Sequence, residues 1–379
     1  MSRADVVIVG GGVVGLSIAY QLAREDVRSV VFDRNDLGHS ASWAGAGIIA
    51  PGGDRPARTS IGLLRDRSAE LFPQWARALR EETGIDNGYR PCGGVDVAAT
   101  EDEERVLRAE AGRWREAGIA CERLMPNDFD RVEPALARDL RVAYFLPDRA
   151  QVRNPRHLRA LIAALTKRGT DLHLGEPVIG FDVDGDRVQA VETSAGRFAC
   201  GQVVVAAGPW TEGLLSPLGL NIATPPVRGQ IALLRSPRPI LKRIVEHRER
   251  YLVPRDDGRV LVGSTEEDAG FQNQTTTLAV SGLLVEALRL CPGLAEAEVE
   301  RAWAGLRPGS PDSRPYIGTA PGWDNLIVAS GHRRAGLQLS PATAEVVADL
   351  VVGRPPRVDL DPFRLGREPA MRVDDLFRS

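Results

Sequence analysis

The stretch that most constrains this chain lies near its start. It comprises Asp5-Val6-Val7-Ile8-Val9, then Gly10-Gly11-Gly12-Val13-Val14-Gly15, then Leu16 to Ala23. The unbroken apolar run Val6 to Val9 predicts a strand buried on both faces, and Leu16, Ala19, Tyr20 and Ala23 recur at helical spacing behind it. Three of the four glycines between them have a physical task. Gly10 permits the tight turn, Gly12 lets a pyrophosphate approach the backbone, and Gly15 lets helix and strand pack closely, so that phosphates meet the positive helix end. A second strand, Ser29 to Phe32, ends at Asp33, 18 residues after Gly15, where a carboxylate binds ribose hydroxyls. Strand, glycine loop, helix, strand and acid in this order predict an adenine dinucleotide. Its ribose should be unphosphorylated, because Asp33 would repel a 2′-phosphate. Spacing alone does not separate FAD from NAD.

With 379 residues the chain can build two domains, each with its own core. A net charge of −3, with arginines scattered among acids, excludes the electrostatic footprint of a nucleic-acid binder. No apolar stretch is long enough to span a bilayer. The apolar N-terminal segment contains three glycines and lacks a basic leader with a cleavage site, so a cytoplasmic protein is expected. Cys92, Cys121, Cys200 and Cys291 lie far apart without a CxxC pair, so neither a disulfide framework nor a metal site is expected.

Farther along, Ser40 to Pro51 is rich in small residues. Gly45, Gly47 and Ala50 match GxGxxA there, but no strand precedes them, so this is not a second nucleotide fingerprint; the small residues suggest backbone pressed against something flat. A helical pattern from Ile61 to Gly84 is expected to be interrupted at Pro73. Thr100 to Glu103 is a capping box, Asn154-Pro155 offers a cap and a first-turn proline, and a hairpin is predicted around Asp184-Gly185-Asp186. Gln202 to Val205 then returns to the nucleotide sheet, and a strand-rich middle follows, with a hairpin around Asp257-Gly258. A last strand, Leu326 to Ala329, leads through Gly331 to Gly336 into a helix predicted to be capped by Ser340-Pro341. No second glycine fingerprint accompanies these elements, so electrons are expected from the substrate and not from NAD(P)H.

The segments SASWAGAGIIAP, PVRGQ, YLVPRDDGRVLVGST, WAGLRPGSPDSRPYIG and GHRRAGLQLSP carry a more specific likeness. Over nearly its whole length the chain resembles the FAD-dependent amine and amino-acid oxidases of the D-amino-acid oxidase, sarcosine oxidase and glycine oxidase group, and most closely the thiamine-pathway glycine oxidases. That resemblance implies an α/β fold, with a Rossmann-type FAD-binding domain and an inserted strand-rich α+β substrate domain. The cofactor domain would be discontinuous, from residues 1–85, 150–225 and 320–379, and the substrate domain would come from 86–149 and 226–319.

By the same resemblance Gly10, Gly12, Gly15 and Asp33 hold the ADP portion of FAD. Ser42, Gly45, Ala46, Gly47 and Ile48 line the pyrophosphate and the isoalloxazine, and Val178 meets the adenine. Val13, Val14, Arg34, Ser40, Ala207, Gly208, Trp210 and Arg307 complete the cofactor's surroundings. Gly336, Leu337 and Gln338 border the pyrimidine edge, where a helix N-terminus stabilises negative charge. Arg307 matches the arginine that grips the substrate carboxylate, Tyr251 a tyrosine bonding the same carboxylate, and Arg334 a second arginine near the entrance. Adjacent His332 reads as structural.

The implied reaction is oxidation of the C–N bond of a small amino acid, of the glycine, sarcosine or D-amino-acid type, by hydride transfer to FAD. The products would be an oxo acid with ammonia or an amine, and O2 would reoxidise the cofactor to give H2O2. Implied partners are the amino acid and O2, with a homo-oligomer as an open option. No cysteine adjoins Arg307-Pro308-Gly309, so non-covalent FAD is expected. Glu266 departs from the apolar residue common in relatives; facing the pocket, it would favour a cationic or larger amine over plain glycine, and the alternative is that it faces solvent. The rival readings are a dehydrogenase of the same fold, a flavin hydroxylase and a non-catalytic flavin module.

Overall fold

The computed structural model describes residues 4–53 and 59–368. The outermost parts of the expected nucleotide segments, 1–3 and 369–379, and residues 54–58 lie outside the described residues. An eight-stranded sheet runs in the order Tyr316–Thr319, Leu326–Ser330, Gly196–Val205, Ala4–Val9, Ser29–Phe32, Asp171–His173, with the hairpin strands Val178–Asp184 and Arg187–Thr193 attached to Gly196–Val205. Its central pairings are parallel and the Tyr316–Thr319 edge is antiparallel.

The first strand is covered on both faces, as its apolar run predicts. Val6 and Ile8 point into one core with Leu16, Tyr20, Leu161 and Leu339, while Val7 and Val9 join Val188, Val191, Val203 and Val205 in another. The first core is made by the helices Val13–Arg24, Ser60–Thr83, Asn154–Lys167 and Gly336–Val351, packed together on one side of the sheet. A single valine or isoleucine buried this way contributes about 1.5–3 kcal/mol.

A second eight-stranded sheet has the order Glu298–Pro308, Pro226–Arg235, Arg259–Gly263, Arg250–Pro254, Ile244–His247, Gly94–Ala98, Val142–Leu146, Glu122–Leu124. Apart from the parallel pair of Ile244–His247 with Gly94–Ala98 it is antiparallel. The helix Thr277–Leu290 covers one face through Leu283, Ala287 and Leu290. Ile48–Ile49 pairs with Ala150–Gln151 in a separate two-stranded ladder that ties down the SASWAGAG segment.

Three local expectations are corrected. The helix Ser60–Thr83 runs straight through Pro73, because Leu71, Phe72, Trp75 and Leu79 are all buried around it and outweigh a proline cost of about 3 kcal/mol. Asn154 does not cap the helix it opens; Arg153 takes that place. The last helix begins at Gly336 and not at Ser340-Pro341. Pro341 cannot serve the Leu337 carbonyl four residues back, and the Ser340 hydroxyl donates to it instead at 2.9 Å.

Candidate active site

A cavity of about 390 Å³ opens where the carboxyl ends of the first sheet's strands meet the second sheet. At its nucleotide end Gly10 has φ +113, and a Cβ there would stand 2.3 Å from the Ala206 carbonyl oxygen. Gly15 does not border the cavity. It presses the helix Val13–Arg24 against the turn so closely that a Cβ would meet the Gly10 carbonyl oxygen at 1.9 Å. The Val13 N–H donates to Ser42 Oγ at 2.8 Å, drawing the two small-residue segments together. Asp33 accepts from the Gly11 and Asn35 N–H groups at 2.7 and 2.8 Å; burial still raises its pKa, the two N–H bonds offsetting only part of that.

The cavity wall contains Gly10, Gly12, Val13, Val14, Asp33 and Arg34, then Ser40, Ser42, Gly45, Ala46, Gly47 and Ile48, and Val178, Ala207, Gly208 and Trp210. Tyr251, Arg307 and Arg334 share it with Gly336, Leu337 and Gln338. Of the residues expected at the site, Gly15 alone lies behind the wall. Arg34 stacks over Trp210 at 4.7 Å, and Phe271 covers the same indole at 5.7 Å.

The SASWAGAG segment is held from beneath by groups the sequence did not flag. Asn154 Nδ2 donates to the Ser42 carbonyl at 2.7 Å, which explains why it is not a cap. Buried Arg255 donates to the Ala46 carbonyl at 2.7 Å and the Val152 carbonyl at 3.1 Å, and burial pushes its guanidinium pKa down to about 9.

At the other end Arg307 projects from Glu298–Pro308. It donates to the Thr265 carbonyl at 3.0 Å and to Ser264 Oγ at 2.7 Å, and no carboxylate lies within ion-pair distance among the described residues. Burial, then repulsion from Arg334, depresses its pKa to about 10, which still leaves it cationic at neutral pH. Gly229 makes its berth, since a Cβ there would stand 2.3 Å from Nη2. Gly263 does the same for the Tyr251 ring, which a Cβ would approach to 2.4 Å. Arg333 is held at φ +48, an unusual conformation for a long side chain, and it too borders the cavity. Glu266 is not part of the wall. It pairs with Arg333 and stands 3.9 Å from Arg334, and against the effect of burial those arginines, with a smaller contribution from Arg307, lower its pKa.

His332 borders the cavity, yet burial pushes its imidazole down to about 4, as it does for buried His157. Both are therefore neutral at pH 7, and His332 is no proton-loaded acid. Because the folded pKa lies below the unfolded one near 6.5, the unfolded chain binds the extra protons between these values. Stability from these groups is present above about pH 6.5 and is lost as pH falls toward 4, by at most about 1.4 kcal/mol per pH unit for each histidine. Urea midpoints measured from pH 7 to 4 should fall accordingly, and His157→Gln should flatten the slope; an unchanged slope would place a charged imidazole in the fold.

The cavity suits a flavin dinucleotide. Gln338 is buried on its wall, and among the described residues its Nε2 has no hydrogen-bond partner, a donor suited to an acceptor in the cavity. Two helices, Val13–Arg24 and Gly336–Val351, begin at the wall, and Gly12 keeps the first approach open.

A family model described as FAD dependent oxidoreductase, DAO, matches residues 5–350. Glycine oxidase from Pseudomonas aeruginosa is 37% identical over 361 residues, 94% of this chain and 97% of that protein. The crystal structure of glycine oxidase from Geobacillus kaustophilus superposes with a TM-score of 0.93 at 35% identity, over 97% of this chain and 100% of that one. Iminodiacetate oxidase from Chelativorans sp. BNC1 gives 0.86 at 27% identity, over 95% and 98%. With the family model reaching from the first strand almost to the end of the last helix, this chain belongs to the DAO family of FAD-dependent oxidoreductases.

Proposed function

We propose that the protein oxidises the C–N bond of small amino acids, with Arg307 as the carboxylate anchor and FAD held without a covalent bond. The observation that carries this reading is Arg307 itself: a buried cation on the cavity wall, hydrogen-bonded to neutral oxygens, with no carboxylate within ion-pair distance among the described residues. A buried charge left this way is costly, and a substrate carboxylate supplies the missing counter-ion through two parallel hydrogen bonds. Glycine oxidase and iminodiacetate oxidase, the names of similar proteins, denote enzymes acting on such acids.

In this reading the cofactor domain is drawn from 1–85, 150–225 and 320–379 and the substrate domain from 86–149 and 226–319, with the strand Tyr316–Thr319 crossing to pair with the first sheet. Bound FAD would supply the acceptor for a hydride, two electrons and one proton, from the substrate's Cα; the amine would release a second proton, so that O2 taking up two electrons and two protons gives H2O2 while water hydrolyses the imine to an oxo acid and ammonia or an amine. Arg307 fixes the carboxylate, and the Tyr251 hydroxyl adds a second contact to it. Together they leave the Cα–H with one direction in which to point. Gln338 and the first N–H groups of Gly336–Val351 favour negative charge at that end of the cavity. His332, its imidazole pushed down to about 4 by burial, is too weak a base to draw a proton from the amine at neutral pH. We assign the protein to the cytoplasm, which four cysteines without a disulfide among them support.

Anaerobic mixing of the purified yellow protein with glycine, sarcosine, D-alanine and D-proline tests this. Flavin absorbance near 450 nm should bleach with at least one of them, and admitted air should restore it with stoichiometric peroxide. An unbleached flavin across the panel would refute the oxidase reading. Bleaching that air fails to reverse would assign the chain to the dehydrogenases.

A further inference from the structure

We propose that Arg334, backed by Arg333, forms a second anion subsite in the same cavity, so that the favoured substrate is an amino acid carrying two carboxylates. This rests on the amino-acid oxidase reading and names its substrate class.

At the substrate end, Arg307, Arg333 and Arg334 all border the cavity, and the acid beside them is Glu266. Glu266 pairs directly with Arg333 and reaches Arg334 no closer than 3.9 Å. The acid on the wall among the described residues, Asp33, lies beside the glycine loop at the opposite end, where the Gly11 and Asn35 N–H groups hold it. One carboxylate therefore faces three guanidinium groups. A substrate with a single carboxylate satisfies Arg307 and leaves Arg334 short of a counter-ion.

Arg334 has the means to bind one. Its side chain is 12% exposed, and it donates to the Glu249 carbonyl at 3.1 Å, which leaves other N–H donors of the guanidinium uncommitted among the described contacts. Both line the one cavity, and after burial the nearby Arg334 charge is what most holds the Arg307 pKa down, with Glu266 acting the other way. An anion placed between them relieves that repulsion and gains charge-assisted hydrogen bonds from both. Glu266 lies outside the wall and is already paired with Arg333, so the condition for drawing a cationic or larger amine, a pocket-facing carboxylate, is not met.

The test uses the holoenzyme and unreactive acids that perturb the flavin spectrum on binding. Succinate and malonate should bind at least about tenfold more tightly than acetate and propanoate, the effect of one added charged hydrogen-bonding partner. Arg334→Gln should abolish that preference while Arg334→Lys, which keeps the charge, should retain part of it. In turnover, the ratio of kcat/KM for iminodiacetate, aspartate or glutamate of either hand over that for glycine should fall about tenfold or more in Arg334→Gln. Equal binding of diacids and monoacids by the parent protein, or a preference that survives Arg334→Gln, would overturn the subsite while glycine oxidation, if seen, keeps the parent reading intact. Failure of every acid to perturb the flavin would overturn both.

Discussion

Arg307→Ala is expected to give a protein that keeps its flavin and loses its hold on substrate. The guanidinium makes its protein contacts to the Thr265 carbonyl and Ser264 Oγ, both groups of the second sheet's loop and neither part of the glycine loop that would carry the nucleotide. Removing it deletes the counter-ion of the substrate carboxylate, a charged hydrogen-bonding contact of about 1.5–3 kcal/mol. Apparent affinity should fall between about tenfold and a hundredfold, and more if the carboxylate is left buried without any partner. The berth gives an independent check. Gly229→Val places carbon where the guanidinium lies, 2.3 Å from Nη2, so it should reproduce the substrate defect with Arg307 still present. Rapid-scan measurement of flavin reduction against substrate concentration decides the matter: unchanged saturation in both variants would remove Arg307 from substrate binding.

The nucleotide half was readable because its signals are local. Val6 to Val9 had to be a buried strand, the glycines had to be a turn, and Asp33 had to end the next strand; the structure shows that geometry with Val7 and Val9 facing one core and Val6 and Ile8 the other. Contacts between distant segments were hidden. Gly229 and Gly263 are ordinary strand glycines in the sequence, and their purpose is visible only when antiparallel pairing puts Gly263 opposite Tyr251 and Gly229 two positions from the partner of Arg307. Asn154 looked like a cap because helix starts favour asparagine, yet a carbonyl 112 residues away claims its amide. Pro73 misled for a related reason: a local rule predicted a break, and tertiary burial of Phe72 and Trp75 overruled it. Glu266 stood as a departure in the sequence, but its meaning depended on Arg333, 67 residues on, whose pairing with it no spacing rule anticipates.

Gly15→Val should cost the protein both its cofactor and part of its stability. The added Cβ would lie 1.9 Å from the Gly10 carbonyl oxygen and 3.3 Å from the Ile8 side chain, and the first of these is backbone that cannot swing aside. Relief requires the helix Val13–Arg24 to lift from the first strand, yet that helix carries Leu16, Ile18, Tyr20 and Leu22 into the main core. Overpacking of this kind costs about 1–3 kcal/mol even where side chains can yield, and a backbone clash exceeds the lower end of that range. The same displacement carries the Val13 N–H away from Ser42 Oγ and opens the turn that faces the phosphates. The purified variant should therefore be colourless or take up FAD at least about tenfold more weakly, a change of about 1.4 kcal/mol or more, with a lower melting temperature even without cofactor. Fluorescence titration of the apoprotein with FAD separates the two effects. Wild-type affinity in a variant that melts normally would mean that the glycine loop does not hold the nucleotide by close helix packing, and the cofactor would have to be anchored from the Ser42 segment alone.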